Sequence, residues 1–165
     1  WFYLYLVQVR HFDLLRSALL SSMPWIFSIV SIPLGGWISD RLVAGGPGLV
    51  WGRRLIPLFG LSLAGVFLAL GAHTNNAYLA AVYLALSTAL VLCVEGPFWA
   101  TMMEIAGSRT GTAGGIMNMG SNLGGLISPA LTPLLAAFLG WENALLLAAV
   151  MSVLAAVMWL LISPK

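Results

Sequence analysis

Apolar residues run along this chain in long blocks, and its seven basic and five acidic residues fall mostly at the block edges. An α-helix needs about 20 largely apolar residues to cross the hydrocarbon core of a bilayer. Residues 17–39, between Arg16 and Asp40, and residues 143–164, between Glu142 and Lys165, carry no formal charge, and each matches one crossing. Residues 55–94 are also uncharged but are broken by the polar turn His73-Thr74-Asn75-Asn76, which predicts two crossings and a tight loop. Residues 110–141 predict one longer, glycine-rich crossing. The helix entered near Ala77 is expected to continue past Glu95, because Gly96-Pro97 can kink a membrane helix without ending it. The predicted helices are therefore 18–40, 52–72, 76–105, 111–138 and 142–163.

Residues 1–10 make a further, partial helix. Trp1 to Val9 is too short to cross, and with neither an initiator Met nor a cationic leader it reads as the tail of a truncated helix. The expectation is an all-α membrane protein, a bundle of six helices with the first one cut, no soluble domain, and more protein before Trp1.

Composition sharpens this into a class. Apolar residues make up 61% of the chain and charged ones 7%, with a mean hydropathy of +0.99; soluble domains carry about 25% charge. The basic surplus of two forms no cluster, so no nucleic-acid partner is expected, and the lipid bilayer is the expected surrounding. The single cysteine, Cys93, excludes an internal disulfide and any Cys/His metal spacing, and no cofactor is implied. His11 and His73 fall in loops away from Ser121 and Ser128, and HExxH is absent, so the chain does not read as an intramembrane hydrolase or as any enzyme.

Arg41, Arg53, Arg54, Arg109 and Lys165 flank one set of alternating helix ends, against Arg10 and Arg16 at the other. Basic residues are retained on the cytoplasmic side. The loops at 40–54 and 105–110 and the C-terminus are accordingly expected to be cytoplasmic, in a bacterial inner membrane.

An ionisable side chain inside a span costs about 2.5–3.5 kcal/mol on insertion scales, which makes Glu95 a functional candidate for coupling to an ion. The competing structural reading is a carboxyl hydrogen-bonded to a neighbouring helix. Thr88 and Trp99 share its helical face, Trp99 also reading as an interfacial anchor. On the next helix Gly111, Gly115, Asn118, Asn122, Gly125 and Pro129 recur at spacings of 4, 3, 4, 3 and 4, one open polar face. Asn118 and Asn122 can offer amides to a solute or can glue helices together. A second face, Ala113, Met117, Gly120, Gly124 and Ser128, has the small-residue spacing of close helix packing. Glu95 lies nine residues before Glu104 and Asn118 nine after Arg109, about 13 Å from the same membrane face at about 1.5 Å per residue, so the two should be level.

The segment Gly36-Trp37-Ile38-Ser39-Asp40-Arg41, then Gly52-Arg53-Arg54, places an acid near a helix C-terminus with a basic pair across the loop. The dipole disfavours an anion there, so Asp40 should seek Arg53, Arg54 or a helix N-terminus, forming a conformational latch.

This segment resembles the loop signature of the major facilitator superfamily, G-x-x-x-D-R followed by G-R-R, in the copy found in the second half; Val43 to Trp51 stand as a nine-residue insertion. The runs Gly96-Pro97-Phe98-Trp99-Ala100, Gly111-Thr112-Ala113-Gly114-Gly115-Ile116-Met117-Asn118, Asn122-Leu123-Gly124-Gly125 and Ser128-Pro129 are similar to the anion:cation symporter branch, as are Trp1-Phe2, Tyr5-Leu6 and Ser22-Met23-Pro24. Tyr3, Gly107 and Ser121 depart from its pattern. The resemblance implies the C-terminal half of a twelve-helix transporter that moves organic anions such as sugar acids with protons or sodium. It implies Trp99 and Asn118 as substrate contacts, Tyr5 as a cavity or gate residue, and Asp40 and Arg41 as the latch, to which Gly36, Arg53 and Arg54 are joined by position. Asn122 is grouped with the substrate contacts by its helical face. Residues 17–39, 55–94 and 110–141 hold no Lys or Arg, so the cation that neutralises an anionic solute is expected from an N-terminal half. A proton-coupled exporter of drugs or metabolites, or a non-transporting membrane subunit, are the alternatives.

Overall fold

A computed structural model describes residues 1–164 and is all-helical over them. Seven α-helices follow in order: α1 (Phe2–Gln8), α2 (Leu14–Ala44), α3 (Gly48–His73), α4 (Ala77–Cys93), α5 (Glu95–Ala106), α6 (Thr110–Leu139) and α7 (Trp141–Met158). Four helical stretches are long and apolar enough to cross a bilayer, Leu14–Ala44, Gly48–His73, Ala77–Leu139 and Trp141–Leu161. The third has 63 residues and doubles back on itself. Its turn lies at Gly107–Arg109, a single 3-10 turn entered through Gly107 at φ +52°, so α5 and α6 pack as antiparallel neighbours.

Helix limits follow local chemistry. The α2 helix starts four residues before the expected 18, because Asp13 accepts the Arg16 backbone N–H at 2.8 Å and caps it. It also runs past Asp40 to Ala44, so of the apparent insertion 43–51 only Gly45–Pro47 lies outside helices. At the other membrane face Asn76 Oδ1 accepts the backbone N–H groups of Tyr78 and Leu79 at 3.0 and 3.2 Å and starts α4. Gly140, at φ +83° and ψ +154°, is the whole link between α6 and α7.

The helix expected over 76–105 continues through a kink: Val94 alone, still in the right-handed helical region at φ −77° and ψ −14°, separates α4 from α5, and Glu95 is the first residue of the second segment. Pro97 has no N–H for the Cys93 carbonyl four residues back. That carbonyl turns to α2, where a Cβ on Gly35 would overlap the Cys93 oxygen. One turn on, Gly36 and Gly96 let the backbones of α2 and α5 meet, with a Cβ on Gly96 falling 2.9 Å from the Gly36 Cα.

The core sits where α3 is wrapped by α2, α4 and α7. Tyr5, Leu6, Leu68, Ala81, Leu84, Leu145 and Ala149 are buried together. Small residues set the spacing, since a Cβ on Gly65 would lie 2.9 Å from the Ala149 carbonyl oxygen and one on Gly71 3.0 Å from Leu84. Hydroxyls stitch helices across their backbones: Ser87 to the Ala64 carbonyl, Ser31 to Ala89 and Ser152 to Leu61, each at 2.8 Å.

The α6 helix is the exception to this packing. Its main helix neighbours are α5 and α7, and between Gly115 and Leu131 every residue except Met117 is exposed. The small-residue face expected to pack against a helix does so only in part. Ala113 and Met117 lie beside α5, but a Cβ on Gly120 or Gly124 would meet nothing within 4 Å. Gly124 and Ser128 instead border an apolar groove of about 510 Å³ between α6 and α7, because the two helices splay from their one-residue link.

Candidate functional site

The α5–α6 hairpin frames a groove of about 640 Å³. Its walls are Trp99, Met102 and Met103 from α5 and Thr110, Gly111, Gly114, Gly115, Asn118 and Met119 from α6 and its start. Gly114 makes the close approach possible, since a Cβ there would sit 3.4 Å from both the Trp99 ring and the Met102 methyl. Trp99 and Asn118, on different helices and 19 positions apart in the sequence, thus meet on one surface. Asn122 stands one turn further along α6, with Nδ2 donating to the Asn118 backbone carbonyl at 2.8 Å and also to Asn118 Oδ1. Glu95 stands one turn before Trp99 on α5, and Trp99 Nε1 donates to Glu95 Oε1 at 2.8 Å. Glu95 is exposed and reaches the groove through the indole instead of lining it, so its level placement beside Asn118 is indirect.

Tyr5 is not part of this groove. It is 2% exposed at the other end of the bundle, stacked edge-on against Trp141 with ring centroids 5.5 Å apart. Its hydroxyl accepts Arg10 Nε at 2.8 Å. Arg10 in turn donates to the Gly71 carbonyl at 3.1 Å, satisfying a carbonyl in the last turn of α3. Beside it His73 Nδ1 and Glu142 Oε1 lie 2.9 Å apart, tying the end of α3 to the start of α7. These side chains border a separate pocket of about 270 Å³.

The expected latch divides. Arg53, only 8% exposed, is its centre. Nη1 donates to Asp40 Oδ1 at 2.6 Å and to Ser39 Oγ at 3.2 Å, while Nε and Nη2 donate to Glu104 Oε1 at 2.9 and 2.7 Å. One guanidinium therefore joins α2, α3 and α5. Gly52 lets α3 reach α2, where a Cβ would lie 2.6 Å from the Val43 backbone nitrogen. The remaining members act elsewhere. Arg41 lies over the Trp37 ring at 4.8 Å, Arg54 donates to the Ile162 carbonyl at 2.7 Å and Ser163 Oγ at 2.9 Å, and Gly36 is the contact with Gly96. Lys165, expected at this same face, lies outside the described residues.

Glu104 was not singled out by sequence reasoning, although the signal was present. Asp40 and Glu104 are the two acids at an end that carries Arg41, Arg53, Arg54 and Arg109. A buried arginine needs both of its edges paired, and counting acids at that end leads to Glu104.

The family model described as Major Facilitator Superfamily matches residues 1–129 and 106–165. The chain belongs to the Major Facilitator Superfamily. It is 34% identical over 129 residues to a probable sulfoacetate transporter of Cupriavidus necator, covering 78% of this chain and 30% of that one. A sodium-dependent phosphate transport protein of Arabidopsis thaliana chloroplasts is 26% identical over 163 residues, 99% of this chain and 32% of that protein. A hexuronate transporter of Bacillus subtilis is 26% identical over 135 residues, 80% of this chain and 32% of its own length. This Major Facilitator chain thus spans about a third of the length of these relatives. They are transporters and not enzymes, and the chain is an integral membrane protein.

Proposed function

We propose that the chain is the second, six-helix half of a twelve-helix transporter that moves a small organic anion, of the sugar-acid or sulfonate kind, by alternating access and cation-coupled symport. The observation that carries this reading is the meeting of Trp99 and Asn118 in one groove beside the exposed face of α6. In transporters of this architecture solutes bind near the midplane between two halves that rock against each other. The uncovered α6 face is the wall that a first half would close. Trp99 and Asn118 contact the solute, Asn122 supports Asn118, and Glu95 holds the coupling proton or sodium ion beside Trp99. The cation opposite the solute comes from the first half, since the uncharged spans here contain none. Arg53, with Asp40 and Glu104, ties α2, α3 and α5 at the face we assign to the cytoplasm, in an inner membrane. Sulfoacetate and hexuronate, transported by relatives according to their names, set the solute class.

The test is uptake into proteoliposomes by the full-length transporter. Sulfoacetate or D-galactonate should accumulate under an inward proton or sodium gradient, and Asn118→Ala should abolish accumulation. Uptake that is unaffected by Asn118→Ala would remove the groove from the transport path.

A further inference from the structure

Asn122 does not line the groove, yet its amide nitrogen lies within hydrogen-bond reach of Asn118 twice, at 2.8 Å from the backbone carbonyl and also at the side-chain oxygen. This pair fixes which way the Asn118 amide points. An asparagine's oxygen and nitrogen are interchangeable in shape, and only hydrogen-bond partners assign them. A backbone carbonyl can only accept, so the Asn122 atom beside it must be the nitrogen. The Asn118 atom that shares this nitrogen must then be an acceptor, Oδ1. Asn118 Nδ2 remains, with no protein acceptor among the described residues, on the residue that forms the groove wall.

We infer that Asn122 is a positioning residue that locks the Asn118 amide with its N–H groups toward the solute, so that this half of the site favours anionic oxygens, which only accept, over hydroxyls. The inference rests on the groove being the solute site and adds the origin of its selectivity. The other two side-chain donors at the groove are already engaged: Thr110 gives its hydroxyl proton to the Gly107 carbonyl at 2.6 Å, and the Trp99 N–H goes to Glu95 at 2.8 Å. Asn118 is therefore the donor a solute meets first. Neither asparagine carries charge, so the lock sets selectivity without a buried ion. A carboxylate oxygen gains more from a fixed N–H donor than a hydroxyl does, because a hydrogen bond to an ionised acceptor is roughly twice as strong as a neutral one.

The test uses equilibrium binding of D-galactonate and of its uncharged counterpart D-galactose to the full-length transporter in detergent. Asn122→Ala frees the Asn118 amide to rotate and should weaken D-galactonate binding by about fivefold, the loss of one oriented hydrogen bond, while weakening D-galactose binding less, since a hydroxyl can pair with either end of the amide. Asn122→Ser separates orientation from mere polarity. A serine has one proton, and at this helix position it goes to the carbonyl one turn back, as Ser121 Oγ donates to Met117 at 3.1 Å. The serine oxygen then accepts from Asn118 and reverses the amide, so Asn122→Ser should not rescue and should lower the galactonate-to-galactose ratio at least as much as alanine. A ratio equal to that of the unaltered protein in both variants overturns the lock, even where thermal stability falls. If Asn118→Ala leaves D-galactonate binding intact, the groove is not the solute site and both readings fall. If Asn118→Ala removes binding while neither Asn122 variant moves the ratio, the site stands and the lock alone is wrong.

Discussion

Trp99 donates its indole N–H to the carboxylate of Glu95, one turn back on α5, at 2.8 Å. A single donor at the edge of the groove is thus held by an acid on the same helix, and a solute anion that needs this N–H must compete with Glu95. Under the proposed coupling role, a proton or sodium ion on the carboxylate would weaken that competition, and binding of the ion and of the anion would favour each other by the same factor, as linkage requires. Glu95→Gln keeps an acceptor for the indole but removes the charge. The expected outcome is anion exchange across the membrane that persists while accumulation driven by an ion gradient is lost. Gradient-driven accumulation at the unaltered level would show that Glu95 carries no coupling ion.

The ionic cluster at the other end of α5 separates a buried pair from an exposed one. The Arg53 side chain is 10% exposed and its partner Glu104 22%, whereas Asp40 is 68% exposed. Removing one member of a buried pair strands the other, at a cost of about 3–5 kcal/mol, while exposed pairs contribute about 0–1 kcal/mol. Arg53→Ala should therefore lower unfolding stability by about 3 kcal/mol, and Asp40→Asn by less than about 1 kcal/mol. Chemical or thermal denaturation of the purified transporter checks the order. A larger loss from Asp40→Asn would contradict the assignment of Arg53–Glu104 as the main tie.

Tyr5 offers a clean separation of support from binding. Its hydroxyl is taken by Arg10 at 2.8 Å and it does not border the α5–α6 groove. Tyr5→Phe should cost about 1 kcal/mol of stability and leave the KM for the solute unchanged within about twofold. A tenfold rise in KM would return Tyr5 to the solute path.

Gly35 packs without a side chain against the carbonyl released by Pro97, and a Cβ there would overlap the Cys93 oxygen. Gly35→Ala should force α2 from the α4–α5 joint and destabilise the fold by about 1–3 kcal/mol, the usual range for overpacking. The readout is a shift in Tm of the purified protein. Equal stability would mean that the joint has room it does not display.

The helical, membrane-spanning class was legible because the bilayer makes length and charge do the work of a fold signal. Blocks such as 17–39 and 143–164 have few solutions in hydrocarbon besides a helix. The kink was legible from Gly96-Pro97, but its partner was not: Gly35, sixty-one positions before Gly96, is where the Cys93 carbonyl comes against α2. The candidate site was legible as faces: 3.6-residue periodicity put Asn118 and Asn122 on one stripe and Glu95 and Trp99 on another. Tyr5 shows the limit of that reading, since a short apolar helix says nothing about Arg10 folding back over its hydroxyl.

By itself the sequence determined that this is a helical membrane protein, which stretches are apolar enough to cross a bilayer, and which ends are basic, because insertion energy is a sum over local residues. The tertiary structure alone decided that α5 and α6 form one groove, that Arg53 pairs with Glu104 as well as Asp40, and that Arg41 and Arg54 serve elsewhere. Those choices depend on which carboxylates and carbonyls from distant segments arrive within hydrogen-bond reach, at 2.6 to 2.9 Å around Arg53. Short-range directional contacts of this kind follow from helix packing, and helix packing here is governed by where glycines allow backbones to touch.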